Sequence, residues 1–340
     1  MRCSRLILLI GGLAAWAAWA SPAAAADLSP VQRLDHYPGT FELRIEDKIS
    51  LGDPDVLDWQ EHINRQFGEH VRPTLGSPGH PLISEIRAML AELPGPVHRL
   101  ASRYVTRVYL LENDFGTGTT EAVQDGQGHW RYGYIALNLS VLNRTANDWG
   151  TWKESSAFRP DPSVRLTMIL EQPGQDDVRG ALRFIFLHEL GHVLGLALGA
   201  HGFWDDDPVP AVTRESPFVR LSWNPGPEGK LVSRWREEFP PLTTLDFYSF
   251  DEARLSAKEA PAVYAALART DFPSLYGATN LYDDFAEAFV IYVHTRLLGK
   301  PYRVDVAGPA GRRVTAQSCI QDGRCPRKVE LLEAMLAGGG

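Results

Sequence analysis

The 340-residue chain has no excess of basic residues, few cysteines and, beyond its N-terminal segment, no long apolar run. It carries 34 Lys and Arg against 42 Asp and Glu, which gives a formal net charge of −8 at pH 7. An acidic chain of this kind is a poor ligand for nucleic acid and for anionic membranes, so neither partner is expected. Because no second membrane-length apolar run exists, we also expect no stable membrane association after the first segment is removed.

The N-terminal segment has the composition of a secretory signal peptide. Arg2 and Arg5 precede an apolar run over 6–20, and small residues over 21–26 offer a cleavage site near Ala26. The run is short for a transmembrane helix, which leaves a short N-terminal anchor as the alternative. The sequence therefore predicts that residues 1–26 are removed and that the protein is secreted or periplasmic.

Cys319 and Cys325 are the cysteines that remain after this cleavage. They flank a polar turn that contains Gly323. In an exported protein such a pair predicts a disulfide, with a shared metal as the alternative. The closed loop is small, so the expected stabilisation is modest.

Helix and strand patterns alternate along the rest of the chain and predict an α+β fold. Residues 27–102 form either a helical N-terminal region or a pro-segment, residues 103–299 the main domain, and residues 300–340 a tail. Within the main domain, residues 200–270 read as a loop-rich insert because eight prolines interrupt them. We expect a small, mainly antiparallel sheet that leads into a central helix.

The individual expectations follow from hydrophobic period and turn residues. Helices are predicted at 55–67, 82–93, 281–298 and 328–336, strands at 104–111, 134–139 and 164–170, and an irregular polar-aromatic loop at 149–156.

The central helix contains the pattern His188-Glu189-x-x-His192 within apolar residues. Two histidines four apart share one helix face, so both imidazoles can bind a single tetrahedral zinc ion. Glu189 lies one step round the helix, where a carboxylate can take a proton from water beside the metal. The alternative is a core helix with two hydrogen-bonded histidines. Capping candidates stand at both ends of the helix: Asp176, Asp177, Gly199 and Gly202.

A zinc site needs a third protein ligand, and the sequence offers several. His201 falls three residues too late for an extended motif that would end at position 198, so we expect a loop histidine. Asp283 and Glu287 lie four apart on an otherwise apolar helix, where buried acids need a bound charge. One can bind zinc while the other orients a zinc-bound histidine. In the alternative interpretation, Asp283 caps the helix. His294 is expected to be a core histidine.

The stretch from Tyr276 to Phe289 resembles the second zinc motif of the gluzincin metallopeptidases. It is also similar to the catalytic domain of anthrax toxin lethal factor and related bacterial secreted proteins. The resemblance implies a zincin-like fold in which His188, His192 and Asp283 bind Zn²⁺, although the family has Glu at the Asp283 position. It further implies that Glu287 supports a zinc-bound histidine. Tyr276 would steady the reacting oxyanion.

These features together predict a secreted or periplasmic zinc metallopeptidase acting on proteins or peptides. Glu189 would be the base, and the strand over 134–139 could pair with an extended substrate. Because Asp is one methylene shorter than Glu, Asp283 reaches the metal only if the two helices approach closely; otherwise Glu287 could bind instead. The alternative function is an exported metal-binding or interaction protein without turnover.

Overall fold

The computed structural model describes residues 28–338, and these fold as a mixed α+β protein, as the sequence predicts. The predicted signal peptide lies outside the described residues. In the described part, no helix is both long and apolar enough to cross a membrane.

The strands of residues 28–338 are short and fall into one larger and three smaller sheets. They are β1 (Ile49–Ser50), β2 (Thr74–Leu75), β3 (Val105–Glu112), β4 (Gly118–Gln124), β5 (Trp130–Asn138), β6 (Phe158–Arg159), β7 (Arg165–Ile169), β8 (Trp223–Pro225), β9 (Leu231–Ser233), β10 (Leu255–Ser256), β11 (Arg303–Ala307) and β12 (Arg313–Gln317).

The α-helices of residues 28–338 include elements on both faces of the five-stranded main sheet, whose side chains divide between two apolar clusters. They are α1 (Pro54–Gln66), α2 (Leu82–Ala91), α3 (Gly95–Tyr104), α4 (Ala146–Ser155), α5 (Val178–Ala197), α6 (Ala211–Arg214), α7 (Val219–Ser222), α8 (Ala260–Leu267), α9 (Leu281–Tyr292), α10 (Cys319–Asp322) and α11 (Pro326–Gly338).

The main sheet is mixed rather than mainly antiparallel. Its order is β1-β3-β5-β4, with β2 also paired to β3. The β1–β3 and β3–β5 pairs are parallel, whereas β4 runs antiparallel to β5 and β2 antiparallel to β3. The predicted strand over 164–170 is β7, but it belongs to a separate antiparallel sheet with β11 and β12.

This topology rules out one expectation from the sequence. β5 contains residues 134–138 of the strand that was expected to pair with a substrate, yet it lies between β3 and β4 and is hydrogen-bonded to both. The prediction is wrong because β5 has no free edge. The edge next to α5 is β4 instead, whose only other strand contact among the described residues is a bridge from Arg33 to Gln124.

The segment 149–156, expected to be a loop, lies largely in helix α4. The Thr145 side chain caps this helix by accepting from the backbone N–H of Asp148. α4 packs closely on β7, since a Cβ on Gly150 would come within 2.8 Å of the Met168 Cγ atom. Trp, Gly, Thr and Ser have weak helix propensity, so packing and capping make this helix.

The N-terminal region and the tail share the core of the main domain. β1 and β2 pair with β3, while β11 and β12 extend the sheet of β7. One continuous apolar cluster runs from Ile45 to Leu336. The sequence suggested domain boundaries near residues 102 and 299. The segments on the two sides of each boundary share sheets and this apolar cluster. In the tail, Cys319 and Cys325 form a disulfide at a Cα–Cα distance of 5.3 Å.

Helix α5 is the central element of the fold. The Asp177 side chain caps its start by accepting from the Gly180 N–H at 2.8 Å, and Gly199 follows its end with a φ of +72°. Every residue from Gly180 to Leu196 is buried except Arg183, because the sheet covers one side of the helix and α9 the other. A helix apolar on all faces is buried in this way.

Candidate metal centre

The two histidines of α5 face helix α9 across an unusually close helix crossing. Gly191 lies between His188 and His192, and a Cβ there would come within 2.7 Å of the Ala286 Cα atom. Only a glycine on α5 and a small residue on α9 allow this approach. It answers the concern raised by the shorter aspartate, because the close crossing brings Asp283 to the histidines.

Three ligand atoms converge at this crossing. The Nε2 atoms of His188 and His192 lie 3.2 Å apart, and Asp283 Oδ1 lies 3.5 Å from each of them. Ligands bound tetrahedrally to zinc at about 2.0–2.1 Å are about 3.4 Å from one another, so these spacings match the edges of such a site. The three residues are buried and form a group able to hold a metal ion.

The two oxygens of Asp283 have different surroundings. Oδ2 accepts from Asn280 Nδ2 at 2.6 Å and from Thr279 Oγ1 at 3.2 Å. Oδ1, which faces the histidines, is buried without a hydrogen-bond partner among the described residues. A buried carboxylate oxygen without a donor is costly, and a cation bound there would compensate it. Asn280 also caps α9, so Asp283 sits near a cap and still presents a free oxygen.

Glu287 lies on the opposite side of His188. Its Oε1 atom is 3.0 Å from His188 Nδ1, in ion-pair contact although outside hydrogen-bond geometry, and 2.8 Å from Lys153 Nζ. A carboxylate in this position fixes the ring of a metal-binding histidine and leaves the other nitrogen free. The structure therefore places Asp283 beside both Nε2 atoms, and Glu287 behind one ring.

Glu189 lies beside the group of three, with its carboxylate held by the edge strand. Thr120 Oγ1 on β4 donates to Glu189 Oε2 at 2.7 Å and to its backbone carbonyl at 3.0 Å. Gly118, also on β4, leaves room for the carboxylate, because a Cβ there would lie 3.3 Å from Glu189 Oε1. The glutamate is thus oriented by β4 rather than by His188, His192 or Asp283.

A small cleft of about 20 Å³, room for about one water molecule, lies above His188 and Glu189. Tyr276 and Lys153 also line it, and the His188 and Tyr276 ring centres are 5.6 Å apart. The Lys153 ammonium lies 4.0 Å from the centre of the Tyr276 ring. Further lining residues come from separate segments: Thr117, Gly118, Trp149, Ile185 and Tyr248.

The charges at the centre are predominantly negative. Burial opposes the charged form of His188, but the neighbouring carboxylates of Asp283 and Glu287 outweigh it and raise its pKa to about 9. Burial likewise opposes ionisation of Glu287, yet Lys153 and His188 lower its pKa to about 2. Burial and the nearby carboxylates hold the pKa of the Tyr276 phenol well above its usual range. A site with this balance favours a cation and keeps Tyr276 a hydrogen-bond donor.

The other histidines considered from the sequence lie outside this group. His201 is buried, donates from Nδ1 to the Gly202 carbonyl at 2.8 Å, and has a pKa that burial lowers to about 3. His294 packs in the core with Nε2 2.8 Å from the Leu170 carbonyl and 3.0 Å from that of Pro301. Both are placed as the sequence predicts.

Thr120, Lys153 and Tyr248 lie at the site but were not predicted from the sequence. Lys153 and Tyr248 lie in segments that were read as loops, and no sequence pattern marks Thr120. A second group with metal-ligand spacing, His36, Asp53 and Asp55, is partly exposed. Its Asp53 already caps α1 through the Val56 N–H and accepts from the Tyr109 hydroxyl.

Comparison with known proteins adds no relative. No protein-family model matches the chain, and neither the curated proteins nor the solved structures contain a significant match. What the site does must therefore be inferred from its own geometry.

Proposed function

We propose that the protein is a zinc-dependent peptidase with a zincin-like arrangement. The observation that carries the proposal is the meeting of His188, His192 and Asp283 within 3.5 Å, with the Glu189 carboxylate beside them at a small cleft. Two imidazoles and one carboxylate are the donor set of many catalytic zinc sites, which keep one position open. Zinc bound there would act as a Lewis acid and make water a competent nucleophile near neutral pH.

The protein's own residues would carry the proton transfers. Glu189 accepts a proton from the attacking water and passes it to the leaving amine, since its carboxylate lines the cleft and is oriented by Thr120. Tyr276 donates a hydrogen bond to the carbonyl oxygen as it becomes negative. Glu287 and Lys153 hold His188 in its binding orientation.

The edge strand supports a peptide as the substrate. β4 borders the cleft through its first residue, Gly118, with Thr117 just before it, and among the described residues its outer edge pairs with no strand beyond the Arg33–Gln124 bridge. An extended peptide can add to such an edge through main-chain hydrogen bonds. A peptide so placed would have a carbonyl near Glu189.

The proposal includes export from the cytoplasm. The predicted signal peptide and the Cys319–Cys325 disulfide support it, because disulfides persist in oxidising compartments. Fractionation of cells expressing the full chain, followed by mass measurement of the mature N-terminus, tests it.

The main experiment joins metal content to turnover. Purified protein is assayed for zinc and for cleavage of casein and a peptide library, with and without a chelator. We expect chelator-sensitive cleavage, and a Glu189→Gln variant that retains zinc but loses on the order of 100-fold or more in kcat. Zinc binding without any cleavage would favour an exported metal-binding protein, and full activity in Glu189→Gln would exclude the proposed base.

A further inference from the structure

The chain carries a strained segment next to the cleft. Tyr248 and Phe250 adopt positive φ values of 63° and 45°. For bulky residues this left-handed conformation is unfavourable and persists only where the surroundings enforce it. Such strain often occurs at functional sites, so the question is what the segment holds in place.

Ser156 and Trp152 of the α4 region fix the strained segment. The Ser156 Oγ atom accepts from the Tyr248 N–H at 2.8 Å, and the Ser156 carbonyl accepts from the Phe250 N–H at 2.9 Å. Ser156 is fully buried. The Trp152 ring lies 5.6 Å from both the Tyr248 and the Phe250 rings. These contacts determine the position of Tyr248 and offset the strain.

The consequence is a second phenol at the cleft. Tyr248 lines the same cleft as Glu189 and Tyr276, and its ring lies 6.3 Å from that of Tyr276 at an angle of 80°. Within the described residues, neither phenol hydroxyl hydrogen-bonds to another protein group, whereas the phenols of Tyr37, Tyr109 and Tyr264 all do. Tyr276 is buried and Tyr248 half-buried at the cleft, so each hydroxyl is available to an acceptor on a ligand.

We propose that Tyr248 is a second hydrogen-bond donor to the substrate oxyanion and acts beside Tyr276. This inference rests on the peptidase function proposed above. The tetrahedral state that follows water attack carries its new negative charge on the former carbonyl oxygen. Two preorganised phenols aimed at that oxygen would stabilise it more than they stabilise the planar peptide. The burial of Tyr248 and the carboxylates around it keep its phenol protonated, hence a donor, since they hold its pKa well above the usual range.

The test compares three single variants that each remove one hydroxyl and keep the ring. Tyr248→Phe is the test variant, Tyr276→Phe the positive control, and Tyr132→Phe a control outside the cleft. For each, kcat and KM are measured on a peptide that the wild type cleaves. Zinc content and thermal midpoint are recorded as structural readouts.

The donor role predicts a specific pattern. Tyr248→Phe should lower kcat by roughly 100-fold, as loss of one oxyanion donor does in comparable sites. KM, zinc content and thermal midpoint should stay close to wild type. Affinity for a peptidyl phosphonamidate, which has tetrahedral oxygens, should fall by a similar factor, while affinity for the uncleaved peptide in the Glu189→Gln background stays unchanged. Tyr132→Phe should match wild type in every readout.

The outcomes separate the two proposals. If the wild type cleaves peptides and Tyr248→Phe keeps full kcat and full phosphonamidate affinity, the Tyr248 inference is overturned and the peptidase proposal stands. A rise in KM with equal losses of peptide and phosphonamidate affinity would assign Tyr248 to ground-state binding, which also overturns it. If the wild type binds no zinc or cleaves no peptide, the proposed function itself is wrong and the role of Tyr248 falls with it.

Discussion

Replacement of Asp283 by asparagine tests which carboxylate completes the proposed metal centre. In the structure Oδ2 accepts from Asn280 and Thr279, while Oδ1 faces His188 and His192. An asparagine that keeps the hydrogen bond from Asn280 must turn its NH₂ group towards the histidines, where it cannot bind a cation. If it turns its carbonyl there instead, its NH₂ group opposes the donors of Asn280 and Thr279. Either orientation weakens the site.

The expected loss follows from the number of ligands. Structural zinc sites contribute about 10–16 kcal/mol through four ligands, or roughly 3 kcal/mol for each, so Asp283→Asn should weaken zinc binding by about 100-fold or more. Glu287→Gln is the matched variant on the same helix. Glutamine can still accept from Lys153, so the loss should stay within about 10- to 100-fold, as expected for a group that orients a ligand.

Competition with a chromophoric chelator gives the zinc Kd of each variant, and thermal unfolding with and without zinc checks it. At free zinc about 1,000 times the wild-type Kd, zinc stabilises the wild type by about 4 kcal/mol, a 10-fold weaker variant by about 2.7 kcal/mol and a 100-fold weaker variant by about 1.4 kcal/mol. The zinc-dependent rise in Tm should therefore fall to about a third or less in Asp283→Asn and stay larger in Glu287→Gln. The reverse ranking would make Glu287 the ligand and refute the reasoning from the Oδ1 distances.

Three further changes test the surroundings of the centre. Gly191→Ala places a Cβ within 2.7 Å of the backbone of the facing helix, so it should lower the free energy of unfolding by about 1–3 kcal/mol and weaken zinc binding. An unchanged zinc affinity would mean that zinc binding does not require the close crossing. Lys153→Met leaves the Glu287 carboxylate buried without its cation and should lower the free energy of unfolding, measured in urea, by about 3–5 kcal/mol. Adding Glu287→Gln to the same chain removes the unpaired charge and should restore part of that stability. Burial raises the pKa of Glu121 from 4.5 to about 7. Between these values the native state binds more protons than the unfolded state, so the unfolding free energy should fall by about 3 kcal/mol as pH rises from 4.5 through 7. Glu121→Gln retains an acceptor for Trp59 and should flatten that decline, whereas an unchanged pH profile would contradict it.

The sequence determined those features whose cause is local. Helix α5 follows from its apolar run with Asp177 at one end and Gly199 at the other, and the four-residue spacing of His188 and His192 puts both imidazoles on one face. The disulfide follows from two cysteines around a short turn. For Asp283 and Glu287, the spacing of four on an apolar helix indicated a paired role, though not which of them faces the histidines.

The features that the sequence left open depend on contacts between distant segments. Helix α4 forms because Gly150 lets it pack closely on β7 and Thr145 caps its start, although its sequence alone has weak helix propensity. The sheet order depends on pairings that no single strand encodes, which is why β4 rather than β5 presents the edge. The strained backbone of Tyr248 exists only because Ser156, far away in the chain, accepts its N–H.

The candidate metal centre likewise has features set by local sequence and features set by tertiary contacts. Local spacing specifies which side chains a helix presents together, because the helical repeat is fixed by backbone geometry. The distance between two helices depends on what packs at their crossing, and here the glycine at 191 meets Ala286. The sequence by itself thus named the histidines and the two acids, while the tertiary structure decided that the shorter acid reaches them.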